Sequence, residues 1–162
     1  MDSIRCFDVL FAFLGIVILL PFFIIIALLI KITSAGPILF KQNRVGKNNV
    51  DFKLFKFRTM QVNAESKGQL TVGGRDSRIT NVGYFLRKFK LDELPQLFNV
   101  LNGTMSLVGP RPEVRKFVNF YTVEQQKVLL VLPGITDFAS IEFRNENELL
   151  ANATNPEQYY IE

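Results

Sequence analysis

Residues 9–30 run for 22 positions without a charge, and this stretch limits what the chain can fold into more than any other. At about 1.5 Å per residue a straight helix of that length spans roughly 33 Å, close to the hydrocarbon thickness of a bilayer. Pro21 near its middle removes one backbone hydrogen bond and bends a helix. Two solutions stay open on the residues alone. One is a kinked helix that crosses the membrane, the plainer reading because proline is tolerated in spanning helices. The other is a helix-break-helix that enters and leaves by the same face, since neither arm is long enough to cross alone. A cleaved signal peptide fits poorly: the run is too long, and Thr33-Ser34-Ala35 is its only cleavage-like feature.

The remaining length suits one compact domain, and the turn Ser34-Ala35-Gly36-Pro37 separates it from the apolar run. With 48% hydrophobic residues and 16 Phe the chain can bury a core. The absence of histidine removes a His general base and the usual zinc ligand sets, so chemistry falls to carboxylates, cations and a hard metal. A lone Cys6 excludes an internal disulfide. Charge is uneven: residues 31–116 hold 16 Lys/Arg against 6 Asp/Glu, whereas residues 117–162 hold 2 against 7. Such a basic platform beside an apolar anchor favours anionic headgroups and phosphate-bearing ligands. Nucleic acid is the competing partner for a basic domain, but an anchor would confine the domain to the membrane and no nucleic-acid motif is present.

Residues 75–112 carry the reactive groups. Leu91-Asp92-Glu93-Leu94-Pro95-Gln96-Leu97 reads as a helix start with Asp92 as cap, continuing through Phe98 and Leu101 to Gly103. A helix N-terminus and nearby cations favour the ionised acid, so Asp92 is expected as a carboxylate able to attack an electrophile or hold a metal. The plainer alternative is that Asp92 only caps and Glu93 is only a first-turn charge. Arg111, fixed between Pro110 and Pro112, suits a phosphate, as do Arg87 before the acidic pair and Lys56 and Arg58 in the run Phe52 to Arg58. Each cation taken singly could equally be a solvated surface charge.

Around this stretch, residues 38–46 and 51–60 read as a β-hairpin joined by the turn Gly46-Lys47-Asn48-Asn49. Asparagine tolerates the left-handed backbone such a turn needs. Residues 62–75 read as a mobile loop, and Thr80 as the cap of a helix over residues 81–88 whose Val82, Phe85, Leu86 and Phe89 face the core. Residues 114–132 are expected as a further helix, with Phe117, Phe120, Tyr121, Val128 and Leu132 inward, ended by Pro133-Gly134.

The ordered motifs Lys56-Phe57-Arg58-Thr59-Met60, Asp76-Ser77-Arg78-Ile79-Thr80, Leu86-Arg87-Lys88, Leu91 to Leu97, Asn99-Val100-Leu101 and Met105 to Pro112 resemble the bacterial sugar transferase family, the monotopic polyprenyl-phosphate phosphoglycosyl transferases, over nearly the whole chain. The resemblance implies an α+β, mainly helical fold. A re-entrant helix broken at Pro21 (residues 1–33) would anchor a small cytoplasmic catalytic domain (residues 34–162) holding a short β-hairpin and amphipathic helices at the membrane surface. It implies location at the bacterial inner membrane, with the catalytic domain on its cytoplasmic face. It further implies transfer of a sugar-1-phosphate from a UDP-sugar to undecaprenyl phosphate with release of UMP, in the first membrane step of exopolysaccharide, lipopolysaccharide O-antigen, capsule or glycoprotein glycan assembly. Asp92 would be the nucleophile, Glu93 the main ligand of Mg2+ with Asp92 beside it, and Arg87, Arg111, Arg58, Lys56 and Arg144 would contact substrate or phosphate. Membrane lipid is an implied partner, nucleic acid is not, and a homodimer stays open. Pro133-Gly134-Ile135-Thr136 matches a family landmark, while Asp137, Ser140 and Phe143 depart from the common Gly, Gln and Gly. The chain stops at Glu162, short of the usual family C-terminus, and so is expected to be truncated. Two other classes remain: a non-catalytic membrane-anchored basic module binding lipid or phosphate, and a glycosyltransferase releasing UDP.

Overall fold

A computed structural model of the chain describes residues 3–62, 64 and 76–142. Most of the loop expected over residues 62–75, and Phe143, Arg144 and Asn145, therefore lie outside the described residues.

The apolar run forms one helix, α1 (Ser3–Thr33), which continues through Pro21, so the break expected at that proline is not seen. Ala12 and Gly15 are small, which lets α1 approach α3 (Gln96–Leu101) closely: a Cβ on Gly15 would stand 3.3 Å from Leu97 Cδ1. Near its start, Arg5 donates from Nη1 to the Val100 carbonyl (2.6 Å) and from Nη2 to that of Leu101 (3.0 Å). These are carbonyls at the end of α3, where a helix lacks internal donors and a cation is favoured. Asp8, buried within the same turn region, accepts from the Leu107 amide at 3.0 Å. Toward the other end, Phe23, Ile26 and Ile30 join Phe57 and Leu86 in one core cluster, while Ala12 joins Leu54, Val100 and Met105 in a second. Burying side chains of this size contributes about 1.5–3 kcal/mol each for the larger ones. The opposite side of α1 stays exposed, from Ile4 and Phe7 to Leu29 and Ile32.

The hairpin is present as β1 (Leu39–Val45) and β2 (Asp51–Phe57), antiparallel with Leu39 opposite Phe57 and Val45 opposite Asp51. Its turn places Asn48 and Asn49 at φ 57° and 62°, the left-handed region asparagine accepts. Asn99 ties α3 to this hairpin. Its Oδ1 accepts from the Phe55 amide (2.9 Å) and its Nδ2 donates to the Lys53 carbonyl (2.7 Å), so one side chain serves β2 as a neighbouring peptide would.

α2 (Asn81–Lys88) starts at Thr80, whose Oγ1 accepts from the Gly83 amide at 2.9 Å, as its sequence suggests. Gly83 lets this helix press on the chain just after β2, because an added Cβ would meet the Thr59 carbonyl oxygen at 2.0 Å. Leu86 is buried and Val82 packs beside the core, but Phe85 and Phe89 are exposed and pair with each other at 4.8 Å. The four-residue inward face expected for α2 is thus corrected to two. The helix is only eight residues long and seats against Thr59 along one narrow line, leaving the next turn of its apolar side uncovered.

The long helix expected over residues 114–132 is also corrected. α4 covers only Arg115–Val118, and a 3₁₀ segment covers Gln125–Leu130. Thr122 and Gln125 explain the break: the Thr122 amide donates to Gln125 Oε1 (2.8 Å) and the Gln125 amide to Thr122 Oγ1 (3.3 Å), a reciprocal cap that starts a new segment. Phe117 is buried as expected, whereas Phe120 and Val128 are exposed. Beyond Pro133, β4 (Gly134–Thr136) pairs in parallel with β3 (Ser106–Val108), and α5 (Phe138–Glu142) follows. Gly109 and Gly134 meet backbone to backbone there; a Cβ on Gly134 would lie 2.1 Å from the Gly109 nitrogen.

Candidate active site

Lys90 adopts φ 57° and redirects the chain from α2 into a single 3₁₀ turn, Leu91–Glu93. Asp92 lies inside that turn and does not cap α3, whose N-cap position is Pro95 with no side-chain bond. That corrects the expected helix start. Leu94 and Pro95 keep right-handed helical angles, so the backbone winds on from Asp92 to Leu101 with i to i+3 bonds at Leu94, Leu97 and Phe98.

The Asp92 side chain is almost fully enclosed, with 7% exposure, and its Oδ1 has no hydrogen-bond partner. Burial raises its pKa, opposed by the charges of Lys56 and Arg87 and reinforced by that of Glu93. This direction is opposite to the one expected from a helix N-terminus, because desolvation outweighs the cations. Glu93 behaves differently. Burial alone would raise it, but Lys56, bonded to Oε1 at 2.7 Å, and Arg111, 3.7 Å from the same oxygen, hold its pKa down at about 2. Lys56 is lowered by burial and Arg111, with Glu93 and Asp92 opposing. Two adjacent acids of one turn are therefore set apart in acidity.

Arg87 reaches the same neighbourhood from α2. Its Nε donates to Thr59 Oγ1 at 2.9 Å, its charge acts on Asp92, and burial lowers its pKa. Arg111 is held by its backbone: its amide donates to Asp137 Oδ2 (3.1 Å), and Arg44 Nη1 fixes the next carbonyl, that of Pro112, at 2.9 Å. Asp137 stands at one of the positions that depart from the family pattern. Arg58 points elsewhere. Its Nη1 and Nη2 donate to the carbonyls of Ala35 (2.7 Å) and Ser34 (2.8 Å), so the structure places this buried guanidinium at the end of α1. Of the residues singled out in the sequence, Lys56, Arg87, Asp92, Glu93 and Arg111 converge, Arg58 does not, and Arg144 lies outside the described residues.

Lys56, Glu93, Gln96 and Arg111 line a small cleft, open to solvent, together with Arg44, Gly134 and Ile135. Asp92 does not line it. Gln96 and Arg44 were missed by the sequence reading; the i to i+3 spacing of Glu93 and Gln96 is the signal that could have found the first. A cleft with three cations, Arg44, Lys56 and Arg111, one held carboxylate and an adjacent enclosed acid suits a phosphate-bearing ligand. The carboxylates also fit part of a magnesium site. Among the described residues no three His, Cys, Asp or Glu side chains cluster, but magnesium needs only one or two carboxylates when phosphate oxygens and water supply the rest.

The family model described as bacterial sugar transferase matches residues 3–162. The chain belongs to the bacterial sugar transferase family. This family member is 46% identical over 140 residues to a UDP-N-acetylgalactosamine-undecaprenyl-phosphate N-acetylgalactosaminephosphotransferase of Aeromonas hydrophila, covering 85% of the chain and 33% of that protein. It is 42% identical over 132 residues to a putative undecaprenyl-phosphate N-acetylgalactosaminyl 1-phosphate transferase of Bacillus subtilis (strain 168), covering 82% and 70%. It is 37% identical over 166 residues to the UDP-glucose:undecaprenyl-phosphate glucose-1-phosphate transferase of Escherichia coli (strain K12), covering 98% and 35%. The chain thus spans about a third of the Aeromonas and Escherichia proteins.

Proposed function

We propose that this sugar transferase family member carries the catalytic unit that moves a sugar-1-phosphate from a UDP-sugar to undecaprenyl phosphate and releases UMP. The observation that carries the reading is Asp92: an enclosed carboxyl with an unpartnered oxygen, acted on by Lys56 and Arg87 beside a small basic cleft. Asp92 attacks the sugar-bearing phosphorus; the new O–P bond forms as the bond to UMP breaks, and UMP leaves with that electron pair. An oxygen of undecaprenyl phosphate then attacks the same phosphorus, forming the diphosphate and freeing the Asp92 carboxylate. Two displacements with a covalent intermediate replace one direct reaction between anions. Lys56 and Arg111 bind the diphosphate charge, and Arg87 favours the ionised Asp92. Glu93 and Asp92 would hold magnesium, which when bound shields the phosphates.

The anchor reading favoured here is re-entrant, with the domain on the cytoplasmic face of the inner membrane. Support comes from both ends of α1 holding the same body: Arg5 and Asp8 at one end, Ser34 at the other. A helix crossing the bilayer would carry those ends to opposite faces, and re-entry of the unbroken α1 calls for a bend at Pro21 in the lipid. The named activities of the relatives make N-acetylgalactosamine and glucose the first donors to try.

The test is nucleotide release from protein in nanodiscs given several UDP-sugars, magnesium and undecaprenyl phosphate. UMP is expected, and Asp92→Asn is expected to abolish both UMP release and covalent capture of labelled donor. UDP as product, or full turnover in Asp92→Asn, would overturn the reading.

A further inference from the structure

Gln96 and Asn99 are two buried carboxamides three residues apart on α3, and their situations differ. Asn99, with 0% exposure, satisfies its side chain through Phe55, Lys53 and Thr104. Gln96 is 3% exposed, and among the described residues its carboxamide has no hydrogen-bond partner. It lines the cleft with Lys56, Glu93 and Arg111. Neither of its polar atoms is among the fully enclosed unpartnered ones, so the amide faces the cleft, where a ligand can complete it. Asn99 shows that this fold can satisfy a carboxamide where the role is structural.

The chemistry of the cleft narrows what Gln96 meets. Lys56 and Arg111 already supply charge for phosphate, whereas a neutral group offering one acceptor and two N–H donors matches a neutral polar group. Its distance from Asp92 narrows it further. On a backbone wound with i to i+3 bonds, residues three apart eclipse, so Gln96 stands over Glu93, about 6 Å further along, one turn from the acidic pair that holds the attacking carboxyl. In a UDP-sugar the base lies beyond a second phosphate and a ribose. The substituent on sugar carbon 2 is the nearest neutral group to the attacked phosphorus that can both donate and accept. We propose that Gln96 is a substrate contact that hydrogen-bonds the hydroxyl or acetamido group on carbon 2 of the donor sugar. This rests on the phosphoglycosyl transferase reading above.

The experiment compares the full chain in nanodiscs with Gln96→Met, which keeps length and removes the amide. UMP release is followed with the best UDP-sugar and with its analogue lacking the carbon 2 substituent, and UMP is used as a competing inhibitor. Gln96→Met is expected to lower kcat/KM for the natural donor about tenfold, the size of one neutral hydrogen bond. It should leave the rate on the deoxy analogue and inhibition by UMP unchanged. Equal losses on both donors, weaker UMP inhibition, or no loss at all would each overturn the contact while leaving the reaction standing. Silence of the unmodified protein with every donor would instead remove the reaction and the contact together. Should Gln96→Met fail to melt cooperatively, Gln96→Leu, neutral and of similar size but without the amide, takes its place in the same comparison.

Discussion

Lys56 is the cation that acts most strongly on both carboxylates of the 3₁₀ turn, and its removal separates their roles. Asp92 is already raised by burial, and Lys56 is the foremost charge opposing that rise. Lys56→Met is therefore expected to raise Asp92 further and move the acidic limb of a log kcat/KM profile to higher pH; an unmoved limb would show that Asp92 does not set it. Glu93 supplies the stability counterpart. Its pKa falls from 4.5 to about 2 on folding, so between those values the unfolded chain binds a proton that the folded chain refuses. Stability from the Lys56–Glu93 pair is fully present above about 4.5 and is lost as pH falls toward 2, and Glu93→Gln should flatten acid unfolding in that window when melting is followed by circular dichroism. At this scale the motifs made Asp92, Glu93 and Arg111 legible. The direction of the Asp92 shift was not, because a sequence shows the helix start but not how deeply the turn is enclosed.

Among the elements, the join between α3 and β2 rests on one side chain. Asn99→Ala leaves the partly buried Phe55 amide and Lys53 carbonyl without this partner, a loss expected at about 1–3 kcal/mol. Denaturant unfolding in detergent checks this, and a change under about 0.5 kcal/mol would mean water replaces the amide. Local signals wrote several elements plainly into the sequence: Thr80 capping α2, and Asn48 and Asn49 taking the left-handed turn of the hairpin. Where a segment's fate depends on its neighbours, the sequence was less informative. The apolar period over residues 114–132 continues through Thr122 and Gln125, yet their reciprocal bonds divide it. Phe85 and Phe89 follow the spacing of a buried face, yet they lie exposed and pair with each other. The Asn99 bridge joins residues more than forty positions apart, and no local pattern announces it.

For the whole molecule, the length and polarity of α1 were legible at once, and its attachment along the domain was not. If α1 re-enters, a cysteine at Ser3 and one at Lys47, each in a Cys6→Ser background, should both react with a membrane-impermeant maleimide in inverted inner-membrane vesicles and be protected in right-side-out ones. Labelling of position 3 from the opposite side would establish a crossing helix. Arg58 gives the arrangement a mechanical meaning. Its guanidinium grips the last turn of α1 through Ser34 and Ala35, and it follows Lys56 by two residues on the same strand run. The cation that serves the reactive turn is thus coupled to the end of the apolar helix by a few bonds, with no slack linker between. If α1 lies in the membrane as proposed, the height of the site above the lipid is set by these bonds, like the stop on a depth gauge, and a phosphate held at the membrane surface would always meet the site at the same level.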